Sequence, residues 1–311
     1  MQYDDNASLD TSQVSDTHGG GGMLSGRSGL AVGGGGLGIV GVIVVVIINL
    51  VGGGGSSTTA LTDILGQLGQ PGQATTADNS QVAAECKTGA DANTKLDCAV
   101  VADINSIQGY WTTELPKLGA TYTPVNTVWF SGQTSTGCGA AQSAAGPFYC
   151  PADKLVYIDL TFYNDLQTQF GATGGLFVDA YVLAHEYGHH VQDLLGTEAK
   201  VKQGETGPTS GSVRLELQAD CNAGVWANHA TTVPTASGSP LITDITQQDI
   251  ANALDTAGKI GDDYIQTKIE GQTFNAGSET HGTSAQRQKW FTTGYQGGDP
   301  TKCDTFGAKT L

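Results

Sequence analysis

The sequence predicts an α+β domain, a small sheet followed by a mostly helical half, and two patterns carry that prediction. Two short segments with strand character, 127–131 and 155–160, precede a long stretch that turns helical and stays so to the C-terminus. In several windows apolar residues recur three and four apart, the spacing of one helix face. No internal repeat is present.

Taken in chain order, residues 1–29 are polar, acidic and glycine-rich, and they offer little apolar surface to offset the entropy of ordering. They are expected to be a disordered tail. Residues 30–51 contain no charged residue, and their dense part, from Leu37 to Val51, is almost wholly aliphatic. A bilayer span needs about 20 apolar residues, a length reached when Gly33 to Gly36 are included. A cleaved signal peptide would begin with a short basic region, whereas a polar tail precedes this one. The segment therefore reads as an uncleaved transmembrane helix rather than a buried core helix. Arg27 is the basic residue nearest its flanks, so the positive-inside rule puts the N-terminus in the cytoplasm and the rest outside a single-pass cell-membrane anchor. Residues 52–81, rich in Gly, Ser, Thr and Gln, read as a flexible tether. A globular domain is expected over 82–311.

Within it, 93–115 reads as a helix burying Leu96, Val100, Ile104 and Ile107. The strand at 155–160 alternates Leu155, Tyr157 and Asp159 against Val156, Ile158 and Leu160. Residues 176–195 place Ala180, Ala184, Tyr187, Val191 and Leu194 on one stripe, and Gly196 is a natural stop. Thr283 and Gln286 match a capping box at the start of a late helix. Trp290 and Phe291 on that helix read as core.

Fourteen basic residues stand against 30 acidic ones, a formal net charge of -16. Nucleic acid is excluded as a partner, because phosphate neutralisation needs a basic surface. The six cysteines include no CxxC pair of the kind found in zinc knuckles or redox centres. Short-range pairing of Cys86 with Cys98 and Cys138 with Cys150 leaves Cys221 for Cys303, one of about 15 connectivities. Six reduced thiols in a cytosolic protein are the alternative. The glycine runs are spacers, since none joins a strand to a phosphate-binding helix.

The chemistry concentrates in His185-Glu186-Tyr187-Gly188-His189. One helical turn brings His185 and His189 to the same face, and Glu186 projects beside them. This HExxH spacing gives a zinc ion two ligands and a glutamate general base. A catalytic zinc needs a third protein ligand. Glu216 and Asp220 lie one turn apart in 213–226, a segment otherwise apolar through Leu217, Cys221 and Val225. Glu216 is expected to bind the metal, and Asp220 to hydrogen-bond a ligand histidine and fix its tautomer. Glu198 and Glu205 are alternative third ligands in a polar loop. His190 continues the histidine run, and His229 reads as a residue of a helix end. The developing oxyanion wants a further donor; His281 is the first candidate, with Tyr295 and Arg287 as alternatives.

HExxH followed by ExxxD resembles the gluzincins, the thermolysin-like zinc peptidases. More narrowly, the layout is similar to the bacterial neutral zinc metallopeptidase family, the YpfJ-like proteins. The matching features are the glycine-rich N-terminus, the apolar segment, Gly146-Pro-Phe-Tyr-Cys-Pro151, His185-Glu-Tyr-Gly-His-His-Val-Gln192, Arg214-Leu-Glu-Leu-Gln-Ala-Asp-Cys221 and His281-Gly-Thr-Ser-Ala-Gln-Arg287. That resemblance implies a zincin-like catalytic domain, zinc (Zn2+) as cofactor and a peptide or protein substrate. A zinc-containing cell-surface binding or scaffold protein is the second expectation, although a general base has no use in a structural zinc site. A cytosolic chaperone-like or redox protein is a third, and it would need free thiols.

Overall fold

Most of the strands lie before residue 160 and most of the long helices after it. The computed structural model describes residues 1–18, 77–202, 204–234 and 238–311. The expected anchor at 30–51 lies outside the described residues. Among the described residues, no helix is long and apolar enough to cross a membrane.

The strands are β1 (Gln2–Tyr3), β2 (Val14–Asp16), β3 (Thr127–Trp129), β4 (Gln133–Thr136), β5 (Gly139–Gln142), β6 (Phe148–Cys150), β7 (Leu155–Ile158) and β8 (Ile242–Asp244). The main sheet has the order β2-β3-β7-β6. It is parallel from β2 through β7, with β6 antiparallel at the edge. β4 and β5 form a hairpin of their own, and β1 pairs with β8. The long helices are α1 (Leu96–Glu114), α2 (Leu176–Leu194), α3 (Gly211–His229), α4 (Gln247–Lys259) and α5 (Ser284–Gly297).

Helix α2 is central. The sequence predicts one buried stripe, but every residue from Phe177 to Gln192 is buried. The reason is its surroundings: α1, α3, α4 and β6 all pack against it. Tyr187 ties it to the sheet, its hydroxyl 2.9 Å from Thr127 Oγ1. Gly196 ends it as expected, with φ of 68° in the left-handed region that lacks steric cost for glycine. The Thr283–Gln286 capping box at the start of α5 is formed reciprocally. Trp290 and Phe291 are buried in the core.

Close helix crossings position α3 between its neighbours. A Cβ on Gly188 would lie 3.1 Å from Ala219 Cα, so α2 and α3 approach through small residues. On the other side, a Cβ on Gly224 would meet Phe291 O at 2.1 Å, and one on Gly294 would meet Cys221 O at 2.0 Å. Only hydrogen fits at either position, and α5 therefore lies close along α3. Trp226 fills the core beside this crossing, its indole N–H donating to Ser106 Oγ at 3.2 Å. Burying a side chain of that kind contributes on the order of 2–3 kcal/mol.

The expectation of disorder over 1–29 is corrected for residues 1–18. Tyr3, Ala7 and Val14 are buried in the same core as the helices. Tyr3 Oη donates to Asp103 Oδ1 on α1 at 2.7 Å, and β2 pairs along the whole of β3. Composition averaged over a polar window hid three anchors that borrow an existing core rather than build one. The chain resumes beside the same strand: Asp78 N–H donates to Asp16 O at 2.8 Å, and Asn79 Oδ1 accepts from Asp16 N–H at 2.8 Å. The domain thus starts with residues 1–18 and 77 rather than at 82.

The six cysteines pair as Cys86–Cys98, Cys138–Cys150 and Cys221–Cys303, with Cα–Cα distances of 4.9, 5.8 and 5.6 Å. The first ties the helix Ser80–Glu85 to α1, and the second ties the β4–β5 hairpin to β6. The third ties α3 to the C-terminal segment.

Candidate metal centre

Helical periodicity puts His185 and His189 one turn apart on α2, with ring centroids 4.9 Å apart and planes at 88°. Helix α3 crosses them and delivers Glu216 from the other side. Glu216 Oε2 lies 3.2 Å from His185 Nε2, and Oε1 lies 3.5 Å from His189 Nε2. One ligand atom from each of the three residues lies within 4.8 Å of the others.

Each histidine is turned by a partner on its inner nitrogen. His185 Nδ1 is 2.9 Å from Asp220 Oδ1, and His189 Nδ1 is 2.8 Å from Gln192 Oε1. A carboxylate only accepts, so His185 donates from Nδ1 and offers Nε2 to the centre. Gln192 in turn donates from Nε2 to Leu215 O at 2.7 Å and to Gln218 Oε1 at 3.1 Å. Those two bonds go to α3, which fixes the amide's orientation and makes its oxygen the acceptor for His189.

The electrostatics call for a cation. Burial favours neutral Glu216, but the charge of His189 and the hydrogen bond from His185 outweigh it and hold the carboxyl well below its usual range. Burial likewise disfavours protonated His185, yet Asp220 and Glu216 override it and raise its pKa to about 10. His189 is lowered to about 4, chiefly by burial. The cluster therefore holds one positive charge on one ring. With both imidazoles neutral, as metal ligation requires, the carboxylates of Glu216 and Asp220 outnumber the buried guanidinium of Arg287. A dication offsets that surplus, and a His2Glu donor set suits zinc with an open fourth position.

Glu186 is buried at the rim of this cluster. Its pKa rises to about 7, first because of burial and also through the charge of Glu216, against the opposing pull of His185, Arg287 and the Tyr149 backbone N–H. Tyr149 lies on β6, so the sheet edge touches the carboxylate. His281 is buried beside the centre, and its hydrogen bond with Asp262, followed by the charge of Glu216, raises its pKa against burial. Asp262 Oδ1 holds His281 Nδ1 at 3.1 Å, while Asp262 Oδ2 accepts from the backbone N–H groups of Thr280, His281 and Gly282 at 2.8, 2.8 and 3.1 Å. With Nδ1 engaged, Nε2 is the atom His281 can offer.

A model of the family described as "Putative neutral zinc metallopeptidase" matches residues 3–306. The chain belongs to that family. The family implies zinc, and His185, His189 and Glu216 are the residues that could hold it. A Mycobacterium tuberculosis (strain H37Rv) protein is 52% identical over 228 residues, 73% of this chain and 76% of its own length. The uncharacterized protein YpfJ of Escherichia coli (strain K12) is 46% identical over 202 residues, 63% of this chain and 67% of its own length. No solved structure matches the chain significantly.

Other residues singled out in the sequence fall elsewhere. Tyr295, an alternative oxyanion donor, lies eight residues beyond Arg287 on α5, roughly 12 Å along the helix. Its ring stacks on Phe291, 6.2 Å between centroids, and its backbone sits at the level of Gly224, two turns past Glu216. Arg287 is committed to Asp220. Glu198 lies in the helical turn Thr197–Lys200, and Glu205 Oε2 accepts from Gly211 N–H at 3.4 Å; neither joins the ligand group. His190 packs between Tyr122 and Tyr149, its Nε2 2.8 Å from Thr123 O. His229 ends α3, its Nε2 2.8 Å from Gly298 O.

Proposed function

We propose that this protein is a membrane-associated, extracytoplasmic zinc endopeptidase with Glu186 as general base. One observation carries the reading: the buried carboxyl of Glu186 stands beside the converging side chains of His185, His189 and Glu216. Zinc held there supplies Lewis-acid polarisation of the scissile carbonyl and of water. Glu186 takes the proton of the attacking water and passes it to the leaving amine. His281 Nε2 faces the charge that develops on the carbonyl oxygen, with Asp262 holding the ring.

The sheet edge supports a peptide substrate. Among the described residues β6 is the terminal strand of its sheet, and its Tyr149 contacts Glu186. An extended peptide pairing with such an edge lies across the general base and uses main-chain groups rather than a chain end, which favours cleavage within a chain. Three disulfides favour an oxidising compartment. The apolar segment 30–51 supports membrane attachment.

The test incubates the full chain and its Glu186→Gln variant with a degenerate peptide mixture, with cleavage read by mass spectrometry. Internal cleavage by the parent alone, at equal zinc content, is the expected result. Zinc in both and cleavage by neither would favour the binding-protein reading.

A further inference from the structure

We propose that Arg287 is a positioning residue that fixes the metal-facing orientation of His185, acting through Asp220. The inference rests on the zinc-centre reading above.

Asp220 is fully buried. Its Oδ1 accepts from Tyr181 Oη at 2.7 Å and faces His185 Nδ1 at 2.9 Å. Both bonds fall on one oxygen. A carboxylate rotates broadly about its last torsion, so two contacts on one oxygen do not fix its plane. Arg287 supplies what is missing. Its Nε donates to Asp220 Oδ2 at 2.8 Å and its Nη2 to Oδ1 at 3.0 Å, a fork that engages both oxygens. The guanidinium is itself buried and braced, with Nη1 donating to Ile260 O at 3.2 Å and Nη2 3.5 Å from Tyr181 Oη.

The planar fork sets the carboxylate plane, the carboxylate sets the Nδ1 bond, and that bond aims Nε2 at Glu216. A point charge at the same place would balance Asp220 without fixing its plane. Arg287 also commits its donors to this task, which takes it out of substrate contact. A purely structural role, as an ion pair joining α5 to α3, would leave metal affinity untouched in a folded variant.

The experiment measures zinc affinity of the full chain by competition with a chromophoric chelator. It compares wild type, Arg287→Gln, Arg287→Lys, Asp220→Asn and the Asp220→Asn/Arg287→Gln double variant, with circular dichroism as the folding control. Arg287→Gln should bind zinc about 10- to 100-fold more weakly, and Arg287→Lys should fall between it and wild type. In the Asp220→Asn background, Arg287→Gln should have no further effect: Arg287 Nη2 also lies 3.4 Å from His185 Nδ1, but that nitrogen donates to Asp220 and cannot accept, so the carboxylate carries the influence of Arg287. Additive effects, or wild-type affinity in a folded Arg287→Gln, would overturn the proposal. Should Arg287→Gln not fold, wild-type affinity in Arg287→Lys overturns it equally. A wild type that binds no zinc would remove the centre itself, a separate and distinguishable failure.

Discussion

Gln192 separates two functions that one side chain performs, and substituting it can pull them apart. Its oxygen faces His189 Nδ1 at 2.8 Å, while its nitrogen donates to Leu215 O at 2.7 Å and Gln218 Oε1 at 3.1 Å. Gln192→Leu removes all three contacts. The two bonds to α3 contribute about 0.5–1.5 kcal/mol each, so a loss of roughly 1–3 kcal/mol in stability is expected. Releasing His189 Nδ1 should weaken zinc about 10- to 100-fold, the usual effect of losing an outer hydrogen-bond partner. Gln192→Glu keeps an acceptor for His189 and loses both donors, so it should retain zinc while still losing stability. Chelator competition reads the first quantity and urea denaturation of the metal-free protein the second. If Gln192→Leu binds zinc as wild type does, or if both variants lose it equally, Gln192 does not orient His189.

Two further outcomes follow from buried groups away from the ligands. Burial raises the Asp179 pKa to about 7. A carboxyl raised on folding carries no penalty below its unfolded value and a growing one as pH rises towards the folded value. Asp179→Asn should therefore stabilise the protein at pH 8, by about 2–4 kcal/mol, and leave it unchanged near pH 4; equal effects at both would refute the burial argument. The Cys221–Cys303 bridge closes a sequence separation of 82 beside Glu216 and Asp220. Replacing both with alanine should cost about 4–5 kcal/mol by loop-closure entropy, a fall in Tm on the order of 10 °C, measurable by calorimetry.

The grouping of candidate ligands was legible because helical spacing alone puts His185 with His189 and Glu216 with Asp220. The chemistry of a two-histidine centre asks for a third donor, and α3 brings Glu216 to the two histidines, a group that could hold a metal. Partner choice was less legible. Asp220 could be assigned to a histidine, but which one depends on the α2–α3 crossing, set by Gly188 against Ala219. Gln192 stood in the motif with no sign of its contacts, since its bonds reach residues on another helix. Asp262 gave no signal: its role arises because the loop at 280–282 folds over it. Arg287 was visible as a charge near the site, but only the structure shows its donors spent on Asp220. The largest misreading concerned residues 1–18, where Tyr3 and Val14 are too sparse to register as apolar content. They pack against residues about 100 positions away in the chain, such as Asp103 and Thr127.

The most direct test is a crystal structure of the full chain grown with zinc, with anomalous data collected on both sides of the zinc edge. One peak bound by His185 Nε2, His189 Nε2 and Glu216, with Glu186 beside it but not ligating, is the predicted result. A peak elsewhere, or a fourth protein ligand closing the site, would contradict the account.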